Sequence, residues 1–398
     1  MRLTARGKCT CLIWIVPVLL LLFAIGTARA VLTQCPDGAS WLAPGQPANG
    51  DVVCMHITGG DGFTTMADGY DQYMFSFGNV DPGVPDAQVM ADYTLKATFP
   101  APTIVMKQGQ ELYLTMTNVG MVMRPDLFDT HSVHWHGFKN AAPIFDGLPE
   151  PSPTANMGAS FTYYYKPTLP GTYCHVEAAE HMQMGMIGNV WVLPEQNDLP
   201  DGTDLNGFTH TTGNKYVYND GDGSTYYDRD FAIQLTGFDH NFHDAPINVQ
   251  PLPFAAMKDT YPMINGRGYP DTINPSPVVN LNGFASQPIN SRISANRGQK
   301  ILLRISNVST TDFFSITTTL GVPMKVVGNG AQLLRSPTGQ DLSYDTYVLN
   351  TGGGEHYDVI LDTADVPRGT YFLYTTNLRF LCNNQQERGG IMTEIVIN

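Results

Sequence analysis

Positive charge is scarce in this sequence. Its 398 residues include 22 Lys and Arg against 36 Asp and Glu, so the net charge is −14. An acidic surface repels a phosphate backbone, which argues against a nucleic-acid partner. The same charge favours cationic partners or basic redox proteins. It carries no information about the fold.

Long hydrophobic runs are also scarce, and the run that exists lies at the N-terminus. Arg2, Arg6 and Lys8 precede CLIWIVPVLLLLFAIG, and Ala30 closes an A-x-A motif. This order predicts a secretory signal peptide over residues 1–30, cleaved after its last residue, with a retained membrane anchor as the alternative. No other stretch is long and apolar enough to span a bilayer. Cleavage would leave 18 basic and 36 acidic residues in a secreted or periplasmic protein.

Cysteine is rare, and two of the six cysteines fall in the predicted signal peptide. The remaining four are Cys35, Cys54, Cys174 and Cys382. In an oxidising compartment Cys35 and Cys54 are predicted to form a disulfide that closes a short loop. A Cys35–Cys382 bridge between the chain ends is the alternative. Cys174 lies between histidine-rich segments and is therefore available for a functional site.

Amphipathic helical stretches are few, whereas residues typical of strands and turns are abundant, with 39 Gly, 28 Pro, 19 Tyr and 19 Phe. Residues 103–119, TIVMKQGQELYLTMTNV, are similar to residues 292–308, RISANRGQKILLRISNV. Each segment predicts two strands joined at a Gly turn in a β-hairpin. The tripeptide Gly-Thr-Tyr also recurs, starting at Gly171 and at Gly369.

The repeats predict an all-β protein with two homologous Greek-key β-sandwich domains. The first domain is predicted over residues 31–197 and the second over residues 227–398. Residues 198–226 are rich in Gly, Asp, Asn and Thr, which predicts a linker or a long surface loop.

Histidines cluster in the segment HSVHWHGF, residues 131–138. On a strand, His134 and His136 point to one face and His131 points to the other. This segment can therefore contribute to two neighbouring sites. The alternative is a surface histidine pair without a ligand.

Cysteine, histidine and methionine cluster in a second segment, PGTYCHVEAAEHMQMGMIG, residues 170–188. Two His, one Cys and a weak axial Met form the ligand set of blue-copper sites. Taken singly, a buried Cys or core-filling methionines would explain these residues without copper. Glu177 and Glu180 are interpreted as solvated loop charges, with contacts to the ligands as the alternative.

HSVHWHG and CHVEAAEHMQMGM resemble the copper motifs of the multicopper oxidase family, which is built from cupredoxin (plastocyanin-like) domains and is related to copper nitrite reductases. The resemblance covers essentially the whole mature chain and implies two cupredoxin-like domains, the second without its own copper motif. It implies the type 1 copper ligands His131, Cys174, His181 and Met186. It also implies that His134, His136 and His175 face a type 2/type 3 copper cluster as catalytic residues.

The resemblance implies an exported copper oxidoreductase. Type 1 copper would accept an electron from a small-molecule or redox-protein donor, and Cys174 would pass it through the backbone to His175. A second copper site would then reduce oxygen or another small acceptor. Asp146 is considered as a proton-relay group, with a turn residue as the alternative. A type 1 electron carrier or copper-binding protein without oxidase activity is the second hypothesis, and a copper-free binding scaffold is the third.

Two departures from the family bear on these predictions. Tyr173 stands where the family usually has a histidine before the cysteine, and the preceding segment is shorter by about three residues. The second domain has non-ligands at the positions of its own copper motif: Phe314, Thr317 and Thr319. A homo-oligomer, with a trimer as the expected form, would supply further ligands across subunits, with His240 and His243 as the candidates.

Overall fold

The computed structural model describes residues 32–138, 152–177 and 179–398. The predicted signal peptide and Asp146 lie outside these residues. Within the described part of the chain, no helix is long and apolar enough to cross a membrane.

The N-terminal half of the described chain forms two β-sheets that face each other around one apolar core. The strands of the first sheet are β1 (Ser40–Trp41), β2 (Val52–Thr65), β3 (Asp71–Asn79), β5 (Glu111–Gly120) and β7 (Ser160–Tyr165). The strands of the second sheet are β4 (Ala101–Lys107), β6 (His134–His136), β8 (Gly171–Val176) and β9 (Ile187–Leu193), in the order β4-β9-β8-β6.

The C-terminal half repeats this arrangement around a second apolar core. One sheet contains β14 (Arg229–Phe238), β15 (Tyr261–Ile264), β17 (Lys300–Asn307), β19 (Met324–Asn329), β20 (Gln332–Leu333), β21 (Tyr344–Thr346) and β23 (His356–Asp362). The other contains β16 (Ile293–Ala295), β18 (Phe314–Thr318), β22 (Val348–Thr351), β24 (Gly369–Thr375) and β25 (Met392–Ile397). The structure therefore confirms the all-β prediction.

The segment between the two sandwiches forms short paired strands: β10 (Asp204–Leu205), β11 (Phe208–Thr209), β12 (Lys215–Tyr216) and β13 (Tyr226–Tyr227). Its aromatic residues Tyr216 and Tyr218 are buried, so this part of the predicted linker packs against the body of the protein. Three α-helices occur in the described residues: α1 (Asp86–Tyr93), α2 (Ala179–Met184) and α3 (His240–Ile247). The 3₁₀ turns are Glu195–Asp198, Phe254–Ala256, Asp271–Ile273 and Leu378–Leu381.

The hairpins predicted from the repeat are wrong, although their strands and Gly turns are present. Gly109 and Gly298 adopt positive φ at the two turns. However, β4 pairs with β9, whereas β5 pairs with β2 and β7 in the other sheet. In the second repeat, β16 and β17 likewise belong to different sheets. Each repeat thus crosses from one sheet of a sandwich to the other, because alternating apolar residues on both strands bury their inner faces in one shared core.

The two domains meet along β8 and β23. Thr172 Oγ1 donates a hydrogen bond of 2.6 Å to Asp358 Oδ1, and both residues are buried. Near the start of the described chain, Cys35 and Cys54 form a disulfide, as predicted, while Cys174 and Cys382 are free.

Candidate metal centre

The pairing of β6 with β8 determines which way the predicted ligands point. His136 lies opposite Cys174, and His134 lies opposite Val176. Directly opposed residues of an antiparallel pair share a face, so these side chains lie on the face towards the second domain. His175 is opposite Trp135 and points into the core of the first domain. His134 and His136 therefore share one face of β6.

The first ligand cluster lies inside the first domain and contains His131, Glu177 and His181. His131 Nδ1 is 3.2 Å from Glu177 Oε2, and the same carboxylate oxygen contacts Nδ1 of His181. The two imidazole centroids are 5.3 Å apart. The backbone N–H of Ser132 donates to Glu177 Oε1 at 2.6 Å and fixes the carboxylate between the rings.

Backbone contacts hold these ligands in place. His131 forms an isolated bridge with Ala155 through backbone hydrogen bonds of 3.1 and 2.8 Å. Its ring packs directly against Gly59 of β2, where a Cβ atom would lie only 3.1 Å from the ring. His181 lies on the short helix α2, and the N–H of Met186 donates to its carbonyl oxygen at 2.8 Å. Met186 is fully buried in the core that surrounds this cluster.

Burial and charge pairing set the protonation of this cluster in the metal-free protein. Burial works to raise the pKa of Glu177, but His181 and His131 outweigh it and hold that pKa at about 2. Burial works to lower the pKa of His181, but the Glu177 carboxylate outweighs it and raises that pKa to about 9. A metal cation would therefore displace a proton from His181 and take over the pairing with Glu177.

The first cluster reaches the surface through His181. This side chain lines a pocket of about 240 Å³ together with Phe75, Leu127, Asp129 and Glu180. Nε2 of His181 is 3.9 Å from Asp129 Oδ2, and its side chain keeps 12% of its surface exposed. The pocket thus places two carboxylates, the Arg124 guanidinium and an aromatic ring next to one ligand of the cluster.

The second ligand cluster lies between the domains and contains His136, Cys174 and His356. Nε2 of His356 is 3.2 Å from Sγ of Cys174, and the rings of His136 and His356 have centroids 5.6 Å apart. His356 is the first residue of β23, where it pairs with Ser306 of β17. The two domains therefore both contribute to this cluster.

Burial keeps the second cluster uncharged in the metal-free protein. It raises the pKa of the Cys174 thiol to about 12 and lowers the pKa of His356 to about 3. It also lowers the pKa of His136, with His134 adding to the effect. Two neutral imidazoles thus face a thiol. A pocket of about 400 Å³, lined also by Met182 and Ser309, opens beside them.

The structure separates Cys174 from His131 and His181, with which it was predicted to share a copper ion together with Met186. Cys174 Sγ joins His136 and His356, whereas Glu177 occupies the position between His131 and His181. The physical reason is the strand alternation, since Cys174 and Glu177 are three residues apart and point to opposite faces. The interpretation of Glu177 as a solvated loop charge is also wrong, because this side chain is buried.

The predicted grouping of His175 with His134 and His136 is contradicted in the same way. His175 Nε2 is 3.0 Å from the carbonyl oxygen of Pro102, and its ring packs 5.5 Å from Phe77 inside the first domain. The rings of His134 and His136 remain neighbours, with centroids 6.0 Å apart.

The histidines considered for recruitment across subunits are engaged within the chain. His243 is fully buried, and its two ring nitrogens lie 2.6 Å from Tyr73 O and 2.8 Å from Gln183 O. Its imidazole is therefore a structural group of α3. His240 Nδ1 is 3.0 Å from Thr260 Oγ1.

Sequence reasoning missed His356 as a member of the clusters and gave contacts of Glu177 to the ligands only as the alternative. Glu177 had a local signal, because it lies four residues before His181, close enough for the two to pair. His356 had none, since it lies 182 residues from Cys174 and outside any histidine-rich motif.

The residues present fit copper. His131 Nε2 and His136 Nδ1 are buried side-chain nitrogens without a hydrogen-bond partner among the described residues. Imidazole nitrogen is a preferred copper donor, and a thiolate adds selectivity for a soft metal. Each cluster thus combines at least one unsatisfied imidazole nitrogen with an anionic or ionisable donor.

Comparison with known proteins points to the same chemistry. Residues 83–197 match the family model described as multicopper oxidase. Laccase-2 of Cryptococcus neoformans var. grubii is 22% identical over 321 residues, which is 76% of this chain and 45% of the relative. L-ascorbate oxidase of Nicotiana tabacum is 25% identical over 310 residues, which is 73% of this chain and 46% of the relative. The chain thus spans about half the length of these relatives.

Solved structures show the same fold. The blue copper oxidase of Nitrosomonas europaea superposes with a TM-score of 0.62 at 20% identity, over 87% of this chain and 86% of that chain. The copper nitrite reductase of the same organism gives a TM-score of 0.54 at 13% identity, over 87% and 94% of the two chains. These findings confirm the resemblance to the multicopper oxidase family, the cupredoxin-like fold and copper as the cofactor of the related proteins.

Proposed function

We propose that this protein is an exported copper-dependent oxidoreductase of the multicopper oxidase type. It would take electrons from a small donor and reduce oxygen or another small acceptor. The observation that carries the proposal is that one strand, β8, connects both ligand clusters. Cys174 within the strand belongs to one cluster, and Glu177 directly after it belongs to the other.

Copper, when bound at such donors, supplies one-electron redox chemistry. The protein holds the donors in fixed geometry and keeps water away, since His131, Cys174 and His356 are almost fully buried. The covalent path between the clusters is the main chain from Glu177 to Cys174, about 10 Å at roughly 3.3 Å per residue. This path replaces the predicted route from Cys174 to His175.

The pocket beside His181 supports a small electron donor. Its volume of about 240 Å³ is smaller than the roughly 300–1,000 Å³ typical of sites for drug-sized ligands. The carboxylates of Asp129 and Glu180 line it together with the guanidinium of Arg124, which is paired with Asp126. The carboxylates outnumber this cation, which favours neutral or cationic donors over anionic ones. Phenols and reduced metal ions both meet these conditions, whereas a donor protein would contact only the rim.

The test is turnover by copper-loaded protein. We expect oxygen or acceptor consumption that depends on added donor, with a phenol and a ferrous salt as the first two donors. The substitution His181→Gln should reduce turnover at least tenfold, because it removes both a cluster ligand and the wall of the donor pocket. The matched control is His240→Gln, which removes a partly buried histidine of α3 outside both clusters and should leave turnover unchanged.

Fully copper-loaded protein that cycles reversibly between redox states without consuming an acceptor would overturn the oxidase proposal. It would favour the alternative, an electron carrier or copper-binding protein. The homo-oligomer, with a trimer as its expected form, stays a prediction that light scattering on the same preparation would test. Protein that is loaded and oligomeric but inactive would count against the proposal most strongly.

A further inference from the structure

We propose that His136, Cys174 and His356 form a mononuclear copper site that the two domains close together, with Met182 as a weak fourth ligand. This inference deepens the proposed function, on which it rests only for the identity of the metal. It assigns the thiolate copper to the domain interface rather than to the interior of the first domain. It also gives the second domain, which lacks a copper motif of its own, a direct part in metal binding.

The distances between the donor atoms suit a single metal ion. Ligand atoms about 2.0–2.3 Å from one metal at trigonal or tetrahedral angles lie roughly 3.3–3.9 Å from each other. Nε2 of His356 and Sγ of Cys174 are 3.2 Å apart, and the donor atoms of all three side chains lie within 4.8 Å of one another. Small side-chain rotations would bring them to a common metal.

The donor set selects copper over harder cations. Two imidazoles and one thiolate in a trigonal arrangement, with a weak and long thioether contact, are the ligand set of blue-copper electron-transfer sites. Met182 supplies the thioether, because it lines the same pocket as His136 and Cys174 and packs in the apolar cluster that contains Cys174. The His131 cluster contains no cysteine within the same distance limit among the described residues.

The packing around the second cluster holds the imidazoles in place. Gly354 approaches His136 so closely that a Cβ atom would lie 2.8 Å from its Cε1 atom. A Cβ at Gly137 would lie 3.9 Å from Cε1 of His356. Nδ1 of His136 is buried without a hydrogen-bond partner among the described residues, which a bound cation or an ordered water would satisfy.

The domain contact brings the ligands together before any metal binds. The hydrogen bond from Thr172 to Asp358 lies two residues from Cys174 on β8 and two residues from His356 on β23. It ties the two ligand-bearing strands together at the site. When Cu²⁺ binds, a copper–sulfur bond forms, the Cys174 thiol releases its proton to water, and no electron is transferred.

The experiment is a Cu²⁺ titration of the purified protein, followed by copper per chain and by the visible thiolate-to-copper charge-transfer band. We expect Cys174→Ser and His356→Gln to lose the band and about one copper per chain. We expect His131→Gln and His181→Gln to lose the other copper and keep the band. If His356→Gln does not fold, His136→Gln makes the same comparison at a partly exposed position.

A band that disappears in His131→Gln or His181→Gln but persists in His356→Gln and His136→Gln would overturn the inference, since the thiolate copper would then lie inside the first domain. Equal copper content and identical spectra in the wild type and Cys174→Ser would also overturn it. A charge-transfer band that is lost in the variants named above, in protein that shows no turnover, would support this inference. It would contradict only the proposed oxidase activity. The two proposals therefore fail separately.

Discussion

Asp259 shows how one buried carboxyl group responds to its surroundings. Its side chain is 4% exposed and contacts Ser309, which lines the interdomain pocket. Gln183 Nε2 donates to its Oδ1 at 2.8 Å, and Ser309 Oγ donates to its Oδ2 at 3.2 Å. Burial nevertheless raises the pKa of Asp259 to about 7, because these two donors only partly replace water around the carboxylate.

This shift predicts a pH dependence of stability. A folded-state pKa above the unfolded value means that the fold favours the neutral acid. The stabilising contribution is complete below the unfolded pKa of about 4 and is lost as the pH rises towards 7. Relative to Asp259→Asn, the wild type should lose on the order of 2–4 kcal/mol of unfolding free energy across this window. Urea unfolding of both proteins at several pH values measures this difference. The same dependence of unfolding free energy on pH in the two proteins would contradict the prediction.

Residue identity alone indicated the chemistry of most ligands but not their partners. His131, His181 and His136 were all predicted as ligands, and each belongs to a cluster. His175 was predicted on equal grounds, yet it points into the core beside Phe77. Glu177 is a ligand candidate only because the chain turns its carboxylate inwards.

At the scale of elements, β8 decides the composition of both clusters through its register with β6. Tyr173 precedes Cys174 and points to the opposite face, where its hydroxyl donates to Leu169 O at 3.0 Å. Its ring packs 5.9 Å from Phe138 in the core of the first domain. A histidine at this position would therefore not reach the interdomain cluster.

The substitution Tyr173→His tests that register. It should leave copper per chain unchanged and lower the unfolding free energy by about 2 kcal/mol or more, because it leaves a cavity and buries a polar ring. Tyr173→Phe is the matched control and should cost only about 1 kcal/mol, the contribution of one hydrogen bond. Copper analysis together with urea unfolding measures both effects. An additional copper in Tyr173→His would show that β8 has a different register.

At the scale of the molecule, a buried polar network joins the domains next to the second cluster. Arg304 is 1% exposed, and its Nε donates to Asp230 Oδ2 at 3.0 Å. Its Nη1 is 3.9 Å from Asp358 Oδ1, the acceptor of the Thr172 hydrogen bond. Tyr218 Oη also donates to Asp358, at 2.7 Å. The guanidinium thus compensates two carboxylates at the interface.

Removal of this charge should weaken the whole molecule. Arg304→Leu would leave both carboxylates without their cation, so we expect a loss of about 3–5 kcal/mol in unfolding free energy. It should also weaken Cu²⁺ binding at the interdomain cluster, because Asp358, which accepts the hydrogen bond that ties β8 to β23, would lose its nearby cation. Chemical denaturation and a Cu²⁺ titration measure the two effects.

The matched control is Arg292→Leu. Arg292 pairs with Glu394 at 3.5 Å, but 48% of its side chain is exposed, so the expected cost is below about 1 kcal/mol. Equal costs for the two substitutions would contradict the role assigned to the interdomain network.

The sequence by itself determined the all-β fold, the repeat and the copper-type donor residues, and it favoured the Cys35–Cys54 disulfide over a Cys35–Cys382 bridge. These features depend on local alternation, turn residues and short motifs, which the order of residues records directly. The tertiary structure alone decided that the repeated strands cross between sheets and that Cys174 faces the second domain. It also brought His356 to Cys174 across 182 residues. Such a contact depends on strand register and domain docking, which are set by packing over the whole chain and leave no mark in a local motif.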